Sequence, residues 1–377
     1  MSKKQTSSKQ AANINIDISS NGCSNARTMS RKSGKSQGTS HEGQVPKYNN
    51  ISIIGDGAMA TVMALLLCEK NISVRIWGYD REQLSEFAQH RENTKFLPGY
   101  KLPQTLVFEP DDERIMAGAD LIVSAVPCQF VRRVFKRLKD YVPEGVPIVS
   151  TAKGIENDTL LRPTQILADL LAEKLKTAVL SGPTIADELA RQLPATACAA
   201  AADEQLAKDI QCTFNCSWLR VYTNTDVIGV ELAAACKNTI AIAAGIIDGT
   251  GAGDNAKAAL LCRGLAEITR LGLASGARPQ TFAGLTGLGD LVTTCISPKG
   301  RNRSFGERIG KGQTVEAAKQ ATESVIEGIA TCKSVIALAE RYNVEMPITQ
   351  AVYEILFEDK PVRTAIADLM TRRLKAE

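Results

Sequence analysis

NISIIGDGAMATVMALLLCEKNISVRIWGYDR, residues 50–81, passes from a β-branched run through a glycine turn into a helix pattern and back into a strand. Ile51–Ile54 reads as the first strand, Thr61 to Glu69 as the helix and Val74–Trp77 as the second strand. The turn between them, Gly55-Asp56-Gly57-Ala58-Met59-Ala60, fits G-x-G-x-x-G/A in the context that makes the pattern informative. Gly55 permits the tight turn. Gly57 lets a pyrophosphate approach the helix N-terminus, where unpaired N–H groups and the helix dipole favour an anion. Ala60 keeps helix and strand close. Any small-residue turn can mimic this fingerprint, but the strand–helix–strand setting favours a dinucleotide site. A carboxylate at the tip of the second strand would bind the ribose hydroxyls of NAD, and a cation there would favour NADP. Asp80 and Arg81 both lie slightly beyond the tip, which leaves the choice open.

Working outward, further strands are expected at Leu106–Phe108, Asp120–Val126, Val146–Thr151, Ala178–Ser181, Ala195–Ala200 and Leu219–Tyr222, giving a mostly parallel sheet of about eight strands. Helices are expected at Glu82–His90, Asp112–Ala117, Phe130–Leu138 and Pro163–Leu175. After Thr225 strand signals stop, and helical patterns follow at Asp226–Asp248, Asn255–Leu273, Thr281–Thr294, Val315–Gln320, Thr331–Tyr342, Ile348–Phe357 and Val362–Leu374. The fold class is therefore α/β: a Rossmann-type dinucleotide-binding domain (48–225) followed by an all-helical domain (226–377), with a cleft between them. Residues 1–47 are rich in Ser, Asn, Lys and Gln without apolar periodicity and read as a disordered tail. Ser-rich and acid-poor, they read either as an organellar transit peptide or, since arginines are few, as an extension without a targeting role, the reading preferred.

The tail carries eight of the Lys and Arg residues against Asp17 and Glu42, so it holds more than the whole net charge of +4 and leaves the rest slightly acidic. That removes the electrostatic footprint of a nucleic-acid partner. The ten cysteines form no Cys-x-x-Cys pair, which points to reduced thiols in the cytoplasm and no metal site. With His41 in the tail, His90 is the only imidazole in the folded part, and it falls on a polar helix face. A general acid or base must come from another residue type.

Val227 to Asn255 supplies one. Lys237 shares a helix face with Val230, Ala233, Ala234, Ala241 and Ala244, and the opposite face is apolar too, so protein should wrap the helix all round. Glu231, Lys237 and Asp248 argue against a membrane span. A buried lysine must pair, reach a cavity or lose its proton; alone, it is more simply read as a side chain snorkelling to water. Lys153, after the strand ending at Thr151, points towards the cleft, and Gly154 beside it suggests close approach of a ligand. In Ser297–Gly306 the cations Lys299, Arg301 and Arg303 cluster with Asn302 in an irregular loop, with a helix beginning near Ser304. This reads either as a solvated basic loop or as a phosphate clamp.

Gly55-x-Gly57, Ser181-Gly182-Pro183-Thr184-x-Ala186-x-Glu188-Leu189, Ile228-Gly229-Val230-Glu231-Leu232, Cys236-Lys237-Asn238, Gly284-x-x-Gly287-Leu288-Gly289-Asp290-Leu291 and Arg301-Asn302-Arg303-x-Phe305-Gly306 together resemble bacterial-type NAD(P)-dependent glycerol-3-phosphate dehydrogenase over about residues 49 to 372. The resemblance implies interconversion of sn-glycerol 3-phosphate and dihydroxyacetone phosphate with NAD or NADP, feeding glycerophospholipid synthesis. It implies Lys237 as proton donor and acceptor. It places Lys153, Gly182, Thr184, Lys237, Asp290, Gly300, Arg301 and Asn302 at the substrate. It places Gly55, Gly57, Ala58, Met59, Tyr79, Lys153, Ala186, Arg301, Val325 and Glu327 at the cofactor. Gly300 stands where the family commonly has serine, and Ala58, Met59 and Ala60 also depart from its pattern; these bear on affinity more than on chemistry. The rivals are a β-hydroxyacid dehydrogenase or ketopantoate-type reductase, and a nucleotide-binding protein without chemistry. The former typically carry an Asn three or four residues after the lysine, where Ile240 and Ala241 stand. The partner is a small molecule, with a homodimer through the helical domain as the expected assembly.

Overall fold

The computed structural model describes residues 47–171, 175–322 and 325–374; the expected disordered tail, apart from Lys47, lies outside them. Ten strands run β1 (Asn50–Ile54), β2 (Ser73–Trp77), β3 (Glu92–Asn93), β4 (Leu97–Lys101), β5 (Val107–Phe108), β6 (Leu121–Ser124), β7 (Ile148–Ser150), β8 (Thr177–Ser181), β9 (Ala195–Ala200) and β10 (Leu219–Asn224). Eight form one sheet in the order β10-β9-β8-β7-β6-β1-β2-β5. All pairings are parallel except β8 with β9. The small antiparallel hairpin β3–β4 was not legible in the sequence, since its five-residue strand Leu97–Lys101 contains Pro98 and Gly99 and buries only Leu97.

The strands alternate as a sheet covered on both faces must. Ile51, Ile53, Leu121, Val123 and Val149 point to one face, where Met63 and Leu67 of the helix Ala58–Glu69 and Ile210 and Phe214 of the helix Glu204–Phe214 cover them. Ile54, Ile122 and Ile148 point to the other, under Val131 and Phe135 of the helix Cys128–Leu138 and Ile166 of Pro163–Leu171. Strand order reverses between β1 and β6, and the glycine turn stands at that switch point. Gly55 has φ +118°, and a Cβ on it would lie 2.7 Å from the carbonyl oxygen of Ala125. Its N–H donates to Trp77 O at 2.8 Å. Only glycine fits there.

The second half is helical, organised around Val227–Thr250, in which every residue from Gly229 to Ile246 is buried. Asp226 caps this helix through Gly229 N (2.9 Å) and accepts as well from Arg278 N (2.8 Å) and Thr281 Oγ1 (2.7 Å). It is long and apolar enough to cross a membrane, but 94% of its apolar window is buried inside the protein. Glycines set its closest neighbour. A Cβ on Gly245 would lie 1.9 Å from Arg303 O, and one on Gly306 would lie 2.0 Å from Ile242 O. The helix Arg301–Gly310 therefore lies backbone to backbone against the central one, and overpacking that seam would cost ~1–3 kcal/mol or more.

Two expectations need correction. The single helix over Thr281–Thr294 is three pieces, Pro279–Ala283, a π-helical turn Leu285–Gly289 and Asp290–Ile296, because Gly284 adopts an extended backbone. The loop to Gly306 ends early. The helix begins at Arg301, with Gly300 as its N-cap residue, drawn into regular structure by the glycine seam.

Candidate active site

Lys237 sits mid-helix and is 5% exposed; Asp290, opposite it, is 2% exposed. Lys237 Nζ donates to Asp290 Oδ1 at 2.6 Å and to Thr294 Oγ1 at 2.6 Å. The other carboxylate oxygen, Asp290 Oδ2, accepts from Lys153 Nζ at 2.8 Å. Lys153 Nζ also donates to Gly182 O at 2.9 Å and lies 3.5 Å from Thr184 Oγ1. One carboxylate is thus shared between a lysine of the sheet half and a lysine of the helical half. Burial pulls Lys237 down to about 8, against the opposing charge of Asp290 and reinforced by Lys153. Burial alone would raise the Asp290 carboxyl, but the two ammoniums outweigh it and hold its pKa below the ordinary range.

A chain of amides continues from this pair. Asn238 Nδ2 donates to Lys153 O (3.2 Å), Asn302 Nδ2 donates to Asn238 Oδ1 (3.1 Å), and Gly328 N donates to Asn302 Oδ1 (3.0 Å). These bonds fix which way both amides face. Arg301, by contrast, is exposed, and among the described residues its guanidinium makes a single bond, Nη1 to Val325 O at 3.2 Å. Glu327 opens the helix Glu327–Arg341, and burial raises its carboxyl, against the fields of Arg301, Lys153 and Lys237 and the Cys128 N–H.

The expected triple cation cluster is not formed. Lys299 pairs with Asp187, and Arg303 pairs with Asp248 (2.6 Å) and Glu307 (3.2 Å), so Arg301 alone of the three remains for an anion. Gly154 does not open space for a ligand either, because a Cβ there would meet Cys128 Cβ at 2.6 Å. Two members of the network went unassigned in the sequence. Thr294 lies one helical turn after Asp290, a spacing that would have flagged it, and Asn238 was visible only as the neighbour of Lys237.

The glycine turn suits a dinucleotide. Gly57 precedes the helix Ala58–Glu69, whose start has no side-chain cap and no acidic residue in its first turn. A Cβ on Gly57 would meet nothing within 4 Å, which is the open cradle a diphosphate needs. Ala58 and Met59 are the first residues of that helix, Ala186 opens the helix Ala186–Ala190, Tyr79 stands 46% exposed beyond β2, and Val325 is 46% exposed. Asp80 is occupied as a helix cap, accepting from Glu82 N (3.0 Å) and Gln83 N (3.2 Å).

Known proteins share this chain's sequence and fold. Residues 50–207 match the profile of the N-terminal part of NAD-dependent glycerol-3-phosphate dehydrogenase, and residues 226–367 match that of its C-terminal part. A glycerol-3-phosphate dehydrogenase [NAD(P)+] of Geobacter sp. (strain M21) is 46% identical over 329 residues, covering 87% of this chain and 98% of that protein. The crystal structure of glycerol-3-phosphate dehydrogenase from Coxiella burnetii superposes with a TM-score of 0.83 at 37% identity, covering 86% of this chain and 99% of that one. A PanE/ApbA family ketopantoate reductase from Ralstonia eutropha, 14% identical with a TM-score of 0.55 over 85% of this chain and 99% of that one, shares the fold alone.

Proposed function

The chain belongs to the NAD-dependent glycerol-3-phosphate dehydrogenase family and interconverts sn-glycerol 3-phosphate and dihydroxyacetone phosphate with NAD(P), and on that premise we propose that Lys237 gives and takes the proton at the C2 oxygen. The observation that carries this is the buried Lys237–Asp290–Lys153 triad, with both carboxylate oxygens engaged and Lys237 brought to about 8. Bound NAD(P)H supplies the hydride that adds to C2. Lys237, as the ammonium, donates to the oxygen that gains charge; in the reverse direction its neutral form accepts the hydroxyl proton. Thr294 and Asp290 hold the amine in one position. Lys153, beside Gly182 and Thr184, places a second positive charge at the same oxygen, fixed before the reaction begins.

Arg301 and Asn302 take the phosphate, so binding energy remote from C2 positions the reacting carbon; the Gly300 N–H, expected at the substrate, is instead spent on Ser297 O at 3.1 Å. Gly55, Gly57, Ala58 and Met59 cradle the diphosphate, Tyr79 borders the adenosine, Lys153 and Ala186 border the cofactor from the sheet half, and Arg301, Val325 and Glu327 border it from the helical half. A cytoplasmic homodimer supplying glycerol 3-phosphate for phospholipid synthesis is the setting this reading implies. Met370 and Leu374, 80% and 94% exposed on the helical half, are apolar surface that such a dimer would cover. NADPH absorbance, followed after addition of dihydroxyacetone phosphate with ketopantoate as control, is the direct test. Oxidation by the first alone supports the reading, and oxidation by the second alone ends it.

A further inference from the structure

The ground beyond β2 carries chemistry that the proton transfer does not use. Arg133, on the helix Cys128–Leu138, places its guanidinium 4.8 Å from the centre of the Tyr79 ring and donates to the Tyr79 hydroxyl. Tyr79 packs edge-on to Trp77 at 6.3 Å, so this shelf is braced from below. Four other ionised groups stand close by, and three of them are already engaged by bonds. Arg137 lies 5.7 Å from the Tyr79 ring but is bound to Asp112 at 2.6 and 2.7 Å. The Asp80 carboxylate accepts two backbone N–H groups of its helix, and Asp56 accepts from Gln83 Nε2 at 2.7 Å. Arg81 is exposed and lies in the field of Asp111. Arg133 is exposed and has no carboxylate partner among the described residues.

A ribose diol is best met by a carboxylate with both oxygens free, and neither nearby carboxylate has them: Asp80 Oδ1 accepts two backbone N–H groups and Asp56 Oδ2 accepts from Gln83. A 2′-phosphate is best met by a guanidinium whose plane is already set, because a fixed fork loses less freedom on forming two charge-assisted bonds. Stacking on Tyr79 sets that plane. We propose that Arg133, held on Tyr79, is the residue by which this enzyme selects NADP(H) over NAD(H), taking the 2′-phosphate of the adenosine ribose. This rests on the dinucleotide site at Gly55–Gly57 and specifies its adenosine end.

Calorimetric titration of the protein with NADP+ and with NAD+ tests it without turnover. NADP+ should bind at least about tenfold more tightly. Arg133→Ala should reduce that ratio about 10- to 100-fold, the range of one or two charge-assisted hydrogen bonds, and Arg133→Lys should keep part of it. Equal or tighter binding of NAD+ by the unaltered protein overturns the assignment. So does a ratio unmoved by Arg133→Ala, or one that moves with Arg81→Ala in its place. Gly57→Val separates the two levels of the reading. If both cofactors bind that variant normally, the dinucleotide site itself is misplaced, whatever Arg133 does.

Discussion

The two ends of the substrate site are built in opposite ways. At the reacting end, Lys237, Asp290 and Lys153 are buried or nearly so, and each is engaged by neighbouring protein groups before any ligand arrives. At the phosphate end, Arg301 is exposed and makes one long bond to a carbonyl. The difference follows from the task of each. A group that moves a proton must have its pKa and position set in advance, which requires burial and fixed partners. A group that captures a dianion does better with unspent donors, because bonds already made inside the protein would have to be exchanged.

The largest effect expected from this contrast is that of Lys237→Ala. Turnover should fall about 10²- to 10⁴-fold, the range of general acid–base catalysis, while NADPH affinity measured by fluorescence titration stays within about threefold. Turnover near that of the unaltered enzyme would remove Lys237 from the chemistry. Asp290→Asn comes next. It strips the carboxylate that the two ammoniums share, which destabilises the fold by ~3–5 kcal/mol. It also withdraws the charge that raises the Lys237 pKa, so that pKa must fall further below its present value of about 8. Since the ammonium is the donor in reduction, kcat/KM for dihydroxyacetone phosphate should decline as pH rises through about 8, and kcat/KM for glycerol 3-phosphate should rise over the same interval. In the Asp290→Asn variant both limbs should move to lower pH. Limbs that stay in place would show that another group titrates there.

The two ends also differ in how far they could be read from the chain. Lys237 was legible because one cation in eighteen consecutive buried helical positions demands an explanation, and the helix periodicity gave its surroundings directly. The glycine turn was legible because its constraint is local backbone geometry. The sharing of Asp290 by two lysines was not, because Lys153, Lys237 and Asp290 lie on three separate segments and only the folded chain brings them together. The phosphate end misled for a similar reason. Proximity in sequence grouped Lys299, Arg301 and Arg303, whereas the helix starting at Arg301 turns Arg303 towards Asp248 and leaves Lys299 on the loop before it. The glycine seam that forces that helix was visible only as scattered glycines, since Gly245 and Gly306 meet through tertiary packing.

Arg301→Ala sharpens the comparison at an intermediate magnitude. Losing one or two charge-assisted bonds to the phosphate should raise KM for dihydroxyacetone phosphate about 10- to 100-fold. The pH limb near 8 should stay where it is, because Arg301 has no contact with Lys237. Arg301→Lys should recover only part of the loss, since a point charge cannot reproduce the planar fork. A displaced pH limb in either variant would mean that the two ends are coupled and the division is false.

The smallest effect is expected where the phosphate end is tied down. Lys299 and Asp187 form an ion pair with side chains 51% and 37% exposed, and Tyr100 and Arg191 also bond to Asp187, at 2.8 and 2.7 Å. This pair joins the loop before Gly300 to the sheet half, so it is a contact, besides the buried amide bonds of Asn302, that could preorganise the clamp. Exposure argues that it does so weakly: pairs in water are worth ~0.2–1 kcal/mol and are screened by salt. A double-mutant cycle of Lys299→Ala and Asp187→Ala should return a coupling energy in that range, with KM for dihydroxyacetone phosphate changed less than about fivefold and less still at high ionic strength. A coupling of several kcal/mol, undiminished by salt, would show that the clamp is held as rigidly as the buried lysines and that the protein prepares both ends in advance.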